Sequence, residues 1–378
     1  MTDPLGQSQV LPYIILLSKK NYNFHLVSYE KTDRYSKYHS LIEKICVDNK
    51  IQWYPLKYNK KPPILSTFFD LYKMMKLAKK LHIKHRYSLI HCRSYISSLV
   101  GLNFKRLKGI PFLFDMRGFW ADERVEGGLW NLKNPFYKLV YYYFKKKEKQ
   151  FLLESNHIIS LTHNGKKNII KLPIFSQLEN NISVIPCCTD LNLFKPVKRD
   201  SDSFTIGYLG SLGTWYMVKE MLVFFQKIKE KIPNSIFHFL TKDDPEIIFT
   251  YCEEIGINRK YILIEESDRN DIPFTTRNWN FSLFFIKPSY SKLFSSPTKQ
   301  GELMAMGIPI ICNSGVGDVD YIIEKYDSGT TFEIGEKFNV DSLLNNVFDE
   351  NKIVKGAKDY FSLDKGVESY LEIYAQII

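Results

Sequence analysis

Much is excluded by what these 378 residues lack. No apolar run approaches the 18 or more residues of a membrane span, and "VLPYIILL" near the start is too short and has no cleavage pattern. A cytoplasmic protein is the expectation. The six cysteines, at 46, 92, 187, 188, 252 and 312, form no C-x-x-C pair and no Cys/His ligand spacing. That argues against a zinc site and a disulfide framework, and the thiols read as reduced core residues. Short-period repeats and low-complexity tracts are missing too, which sets solenoids and disorder aside. What is present is a globular composition, 44% hydrophobic and 25% charged, rich in aromatics with 24 Tyr and 27 Phe. The formal charge of +11 favours an acidic partner: nucleic acid, anionic lipid or a phosphorylated small molecule. No nucleic-acid motif accompanies the charge, so nucleic acid is not expected.

The length predicts two domains. Strand-like runs alternate with helical patterns: "FHLVSYE", the helix "TFFDLYKMMKLAKKLHIKH", "SLIHC", the helix "YISSLVGLNFKRLKG", "PFLFDMR", the helix "FYKLVYYYFKKKEKQFLLE" and "HIISLT". After a polar stretch at 195–203 the alternation restarts with "FTIGYLGS" and runs through "SIFHFLT", "YILIEE", "FSLFFI" and "IPIICNS". This order predicts an α/β protein of two doubly wound, Rossmann-like domains with a cleft at the carboxyl ends of their strands. The expected domains are 1–195 and 204–360.

The candidate motifs fall on those strand ends. In "FSSPTKQGELMAMGIPII", Ser296 suits an N-cap and Pro297 the first helical position, leaving the amides of Thr298 and Lys299 pointing out of the helix. Lys299 then sits where the helix dipole disfavours a cation by roughly 0.3–1 kcal/mol, a conflict that a phosphate would resolve. Glu302 follows three residues later. It reads either as a surface ion pair with Lys299, in the less favourable orientation, or as an acceptor for sugar hydroxyls. In "YLGSLGTWY", Gly210 and Gly213 either shape a turn or let loop amides reach a phosphate. Asp115, Arg117, Asp122 and Glu123 cluster after "PFLFDMR", and Arg93 follows "SLIHC". They read as acceptor-orienting groups or as a solvated, self-paired loop. His91 is a core histidine satisfied by one backbone bond or an active-site group. Residues 137–151, "YKLVYYYFKKKEKQF", read as an amphipathic helix at an anionic membrane surface or as an ordinary domain helix.

Together these segments resemble the family 4 glycosyltransferases of the GT-B fold over nearly the whole chain. "SPTKQGELMAMGIPII" resembles the nucleotide-sugar segment, whose glutamate binds the nucleotide ribose, and Glu302 occupies that position. "VIPCCTDLNLF" is similar to the interdomain segment, with Asp190 and Phe194 matching. "FDMRGFWADERVEGG" resembles the acceptor-facing loop, "MTDPLGQSQVLPY" the first glycine-bearing loop with Gly6 and Gln7, and 361–378 the closing helix that crosses back onto the first domain. Three departures stand out. Phe294 replaces a second glutamate, Ser211 and Tyr216 replace an arginine and a lysine, and Arg117 replaces a histidine.

The resemblance implies transfer of a sugar from a nucleotide-diphosphate donor to a saccharide or lipid-linked acceptor, with retention of configuration, in surface polysaccharide or glycolipid synthesis. It assigns Lys299, Glu302, Asp115 and Arg117 to catalysis. Gly210, Ser211, Gly213, Ser296 and Thr298, with Lys299 and Glu302, are assigned to the donor, and Gly6, Gln7, Arg93, Asp122 and Glu123 to the acceptor. No cofactor and no metal is expected, since no Asp-x-Asp segment stands in a clear metal-binding context. The protein is expected in the cytoplasm, with peripheral contact to an anionic membrane as an option. A nucleotide-sugar epimerase and a non-catalytic sugar-nucleotide-binding protein are the alternatives. A further expectation is that roughly one strand of about 5–6 residues is missing ahead of Met1, because the chain opens inside the glycine-bearing loop; the alternative is that another segment fills its place.

Overall fold

The computed structural model describes residues 1–62, 64–335 and 340–378. It is an α/β molecule whose paired strands all run parallel. In the first domain, β1 (His25–Glu30) pairs with β2 (Gln52–Lys57). A separate four-stranded sheet has the order β3 (Ile90–Arg93), β4 (Phe112–Asp115), β5 (His157–Ser160) and β6 (Ile182–Val184). Among the described residues no strand precedes the opening helices Pro4–Gln9 and Leu11–Ser18.

Among the described residues the second domain holds six strands: β7 (Thr205–Leu209), β8 (Ile236–Leu240), β9 (Ile262–Glu265), β10 (Phe281–Phe284), β11 (Ile310–Asn313) and β12 (Gly329–Phe332). Their spatial order is β12-β11-β10-β7-β8-β9, so the order reverses between β7 and β10. In such sheets ligands bind outside the carboxyl ends of the strands at that switch point. The loop after β7 carries Gly210, and the segment after β10 leads into the helix Thr298–Ala305.

β4, β5, β7, β10 and β11 are buried along their whole length, as expected of parallel strands covered on both faces. The largest apolar cluster fills the second domain around Ile206, Phe237, Phe239 and Leu283. Another surrounds Phe112, Phe114 and Phe151 in the first. The closing helix Leu363–Ile377 packs Val367, Tyr370 and Tyr374 against Tyr13, Leu113 and Ile159 of the first domain. Its start is pinned to the interdomain segment by the Thr189–Ser362 bridge.

Further ties join the domains. Phe294, from the second domain's loop, is fully buried in the first domain's cluster, edge-on to Phe119 at 4.0 Å between ring centroids. The Asp318 carboxylate accepts the amides of His163 (2.6 Å) and Asn164 (2.9 Å) at the start of a first-domain helix. Glu126 does the same for Tyr290 (3.1 Å) and Ser291 (3.0 Å).

Candidate functional site

The helix Thr298–Ala305 begins one residue later than the sequence reading has it. Pro297 is the N-cap and makes no side-chain cap bond. Ser296 is not the cap because its hydroxyl accepts the amide of Cys187, 3.1 Å away in the interdomain segment. That bond fastens the helix start to the hinge between domains.

Lys299 and Glu302 are both buried, which rules out the alternative of a surface ion pair. The Lys299 ammonium lies over the rings of Tyr216 (3.8 Å) and Tyr208 (4.1 Å) and has no hydrogen-bond partner among the described residues. Burial pulls its pKa well below the usual lysine range, with the nearby Glu302 carboxylate opposing. Glu302 does not bridge to Lys299. Its Oε1 accepts from Arg269 Nη1 at 2.6 Å, and burial raises its pKa against the pull of Arg269 and then Lys299. Arg269 comes from the loop after β9 and lies over Phe194, 4.7 Å from its centroid. Sequence reasoning missed it, although a basic residue just past a strand end was the available signal. Gln300 was missed as well: it is buried with both polar side-chain atoms unpartnered among the described residues.

The loop after β7 is held differently from expectation. The Gly210 amide donates to the Leu240 carbonyl at 3.0 Å, so it is not free for a phosphate. Leu212 N–H goes to the Asp243 carboxylate, and the Tyr208 hydroxyl donates to the Ser211 carbonyl. Gly210 is needed for another reason. It has φ +125°, and a Cβ there would come within 3.0 Å of Lys299 Nζ, so glycine lets the loop close over the ammonium. Gly213 and Ser211 lie on the exposed part of this loop, and Thr298 is half-buried at the helix start.

On the first domain, Asp115 is buried at the end of β4. Arg93 Nη1 lies 3.3 Å from its Oδ2, Arg117 Nη1 3.5 Å from its Oδ1, and His91 Nε2 3.7 Å from Oδ2. Burial alone would raise this carboxyl's pKa. Arg117, His91 and Arg93 together overcome that and hold it well below the carboxylate range. A carboxylate so strongly stabilised as the anion is a poor proton acceptor; its work is to hold two arginines. Arg117 sits at φ +59° and reaches Cys187 Sγ at 3.4 Å. His91 is not satisfied by the backbone. Its Nδ1 meets the Tyr374 hydroxyl at 2.7 Å, while Tyr370 donates to Asp115 at 3.3 Å. Both tyrosines come from the closing helix, a contact that local sequence pattern does not reveal.

Asp122 and Glu123 are not free to orient an acceptor. Asp122 accepts from Tyr141 (2.8 Å) and Lys145 (2.7 Å) within the first domain. Glu123 pairs across the cleft with Lys292 at 2.8 Å. Gln7 donates to the Thr2 carbonyl at 3.0 Å, and a Cβ on Gly6 would fall 2.7 Å from Met1, so these two residues shape the opening turn.

Around the interdomain segment, then, Lys299, Arg269, Arg117 and Arg93 outnumber the carboxylates of Glu302 and Asp115. A buried, unpaired lysine at a helix start, with partly exposed arginines at neighbouring strand ends, has the charge to receive a multiply charged anion. Among the described residues no group of His, Cys, Asp and Glu is arranged to hold a metal, and no helix is long and apolar enough to cross a membrane.

Residues 15–193 match the sequence profile described as Glycosyltransferase Family 4. An Escherichia coli protein, UDP-Gal:alpha-D-GlcNAc-diphosphoundecaprenol alpha-1,3-galactosyltransferase, is 24% identical, the match covering 83% of this chain and 80% of that one. Among solved structures, a glycosyltransferase from Rickettsia africae superposes with a TM-score of 0.69 at 16% identity, over 99% of this chain and 96% of that one. Anabaena HepE in complex with UDP and glucose gives a TM-score of 0.64 at 13% identity, over 96% and 95%.

Proposed function

We propose that this chain, which has the GT-B fold and matches the Glycosyltransferase Family 4 profile over residues 15–193, is a glycosyltransferase that moves a hexose from a nucleoside-diphosphate donor to a lipid-linked saccharide. The observation that carries the site assignment is the buried, unpartnered Lys299 ammonium at the start of the Thr298–Ala305 helix. The diphosphate sits against that ammonium and the helix start, with Arg117 approaching from the first domain. Glu302, oriented by Arg269, takes the ribose hydroxyls with its second oxygen. We take the domains as 1–195 and 204–360, with 361–378 crossing back.

In the reaction, the bond between the sugar's anomeric carbon and the diphosphate oxygen breaks as charge gathers on the leaving group. Lys299, Arg117 and the helix dipole stabilise that charge where it develops. The acceptor hydroxyl attacks the face the leaving group vacates, and its proton passes to a diphosphate oxygen, so configuration is retained. The chain's own cations meet the leaving group's charge, and the proposal includes no metal or cofactor. Asp115 is a positioning residue that holds Arg93 and Arg117.

The similarity to an enzyme that uses UDP-galactose and a GlcNAc-diphosphoundecaprenol acceptor makes UDP-hexoses and diphosphate-linked lipid acceptors the first to try. Incubation with a panel of labelled nucleotide sugars tests the reading. Slow hydrolysis of one donor, and its transfer once acceptor is added, is the expected result. Interconversion of two sugars, or binding without turnover, would overturn it.

A further inference from the structure

The first domain carries an apolar surface that the site does not use. In the helix Leu65–His85 the inward side is conventional: Asp70 and Leu81 are buried, while Leu71, Met74, Met75 and Ala78 pack on Val100 and Phe104. Its first two turns nevertheless present Leu65, Phe68, Phe69 and Tyr72 to solvent, 49–65% exposed. Their i, i+3, i+4, i+7 spacing is a second apolar stripe where a soluble helix should be polar. The neighbouring helix Pro135–Glu154 adds Phe136, Leu139 and Tyr142, 50–70% exposed. The two helices adjoin: Phe68 and Tyr143 rings lie 6.5 Å apart, and Phe68 and Leu71 line the same small cavity as Val140 and Phe144.

The rim of this surface has one sign of charge. Lys76, Lys133, Lys138 and Lys146 are exposed, and Lys73 lies over the Phe69 ring at 4.3 Å. The acids of these helix halves are turned away. Asp70 is buried and accepts the Asn59 amide at 3.0 Å, and Glu148 is buried against Lys145 at 2.6 Å. A second copy of this chain would bring two lysine rims together, whereas anionic lipid headgroups complement them. Exposed aromatics within a basic rim have the chemistry of an interfacial anchor.

We propose that this face, the first halves of helices Leu65–His85 and Pro135–Glu154, docks on an anionic bilayer. One helix follows the carboxyl end of β2, and the other follows the loop after the carboxyl end of β4, so both start on the cleft side of the domain. Docking therefore turns the cleft toward the lipid. If the acceptor is lipid-linked, a point that rests on the reading in the previous subsection, its hydrocarbon stays in the bilayer while its sugar enters the cleft.

The test is flotation of the full chain with phosphatidylglycerol/phosphatidylethanolamine vesicles and, separately, with phosphatidylcholine vesicles. The expected result is at least tenfold tighter binding to the anionic set, weakened by high salt. F69E/L139E should lose at least tenfold. K73E/K138E should lose roughly fivefold for each lysine removed. Both variants should keep the parent's thermal midpoint and its transfer to a water-soluble, short-tailed acceptor. The milder F69S/Y72S serves if the first variant misfolds. The proposal is overturned if the parent ignores anionic vesicles, or if the variants float as well as the parent. It is equally overturned if the parent is a dimer whose mass halves in F69E/L139E, because a second copy then covers the face. Patch-dependent flotation without transfer to any acceptor would leave docking standing and remove the enzymatic reading.

Discussion

Replacing Lys299 by methionine should raise the thermal midpoint and, at the same time, weaken nucleoside-diphosphate binding by roughly 10- to 150-fold. The substitution keeps an unbranched, apolar stem one atom shorter than lysine beneath Tyr208 and Tyr216 while deleting the ammonium. In the free protein that ammonium is buried and unpartnered, and burial has lowered its pKa well below 10.5. The unfolded chain therefore binds more protons than the folded one between the folded pKa and the unfolded value near 10.4. Stability must rise with pH across that window, by up to about 1.4 kcal/mol per pH unit, and the slope should vanish in K299M. The contact of the charged amine with two tyrosine rings returns ~2 kcal/mol, and the lowered pKa means that this does not cover the cost of burial. A gain of ~1 kcal/mol corresponds to about 2–4 °C in a domain of this size.

Binding runs the other way, because a charge-assisted hydrogen bond to phosphate is worth about 1.5–3 kcal/mol. A diphosphate arriving where the amine is neutral must also bring in a proton. Calorimetry of UDP in buffers of different ionisation enthalpy, repeated at several pH values below about 10.4, should detect proton uptake that grows with pH in the parent and is absent in K299M. Equal affinities with no proton uptake in either protein would refute the assignment of Lys299 to the diphosphate.

Three other perturbations follow from the same contacts. Glu302→Ala should cost ~1–3 kcal/mol in chemical denaturation, less than a fully buried pair because Arg269 can turn into solvent, and should lower nucleotide affinity; a variant as stable as the parent would mean that the Arg269 pair contributes nothing. Asp115→Asn leaves Arg117 buried and uncompensated, so it should cost ~3–5 kcal/mol and, with Arg117 no longer held toward the diphosphate, also weaken UDP binding, though less than K299M does. The Asp115 pKa is depressed by folding, so its contribution is present above about pH 4 and is lost progressively as pH falls below it, and the acid limb of the stability–pH curve should flatten in D115N. Phe294→Ala removes a second-domain ring from the first domain's cluster, and differential scanning calorimetry should show a loss of ~3–5 kcal/mol with the unfolding transition splitting in two; one unsplit transition at the parent's midpoint would deny the ring a coupling role.

The strand–helix alternation made the fold legible wherever strands were continuous apolar runs, as in β4, β7 and β11. β2 escaped notice because "QWYPLK" carries a proline and polar ends, and β12 because "GTTF" is short and opens with glycine. Lys299 and Glu302 could be found because a cation at a helix start is a local anomaly. Their burial could not, since it depends on Tyr208, Tyr216 and Arg269, all distant in the chain. Ser296 fits an N-cap by local rules, yet the Cys187 amide claims its hydroxyl. The same limit explains Asp122 and Glu123: acids in a loop read as ligand-binding until Lys145 and Lys292 arrive from elsewhere in the chain. Phe294 reads as a missing glutamate in sequence and as an interdomain plug in structure.

The most direct test of the central claim is transfer itself. The folded parent and K299M should be incubated with UDP-[14C]galactose and, in turn, the other labelled UDP-hexoses, together with a synthetic GlcNAc-diphospho-lipid, and the organic-phase label followed with time. The account predicts that one donor yields a labelled disaccharide lipid with the parent, and that K299M forms it at least tenfold more slowly. Equal rates from the two proteins, or no transfer from any UDP-hexose by a parent that binds UDP, would contradict it.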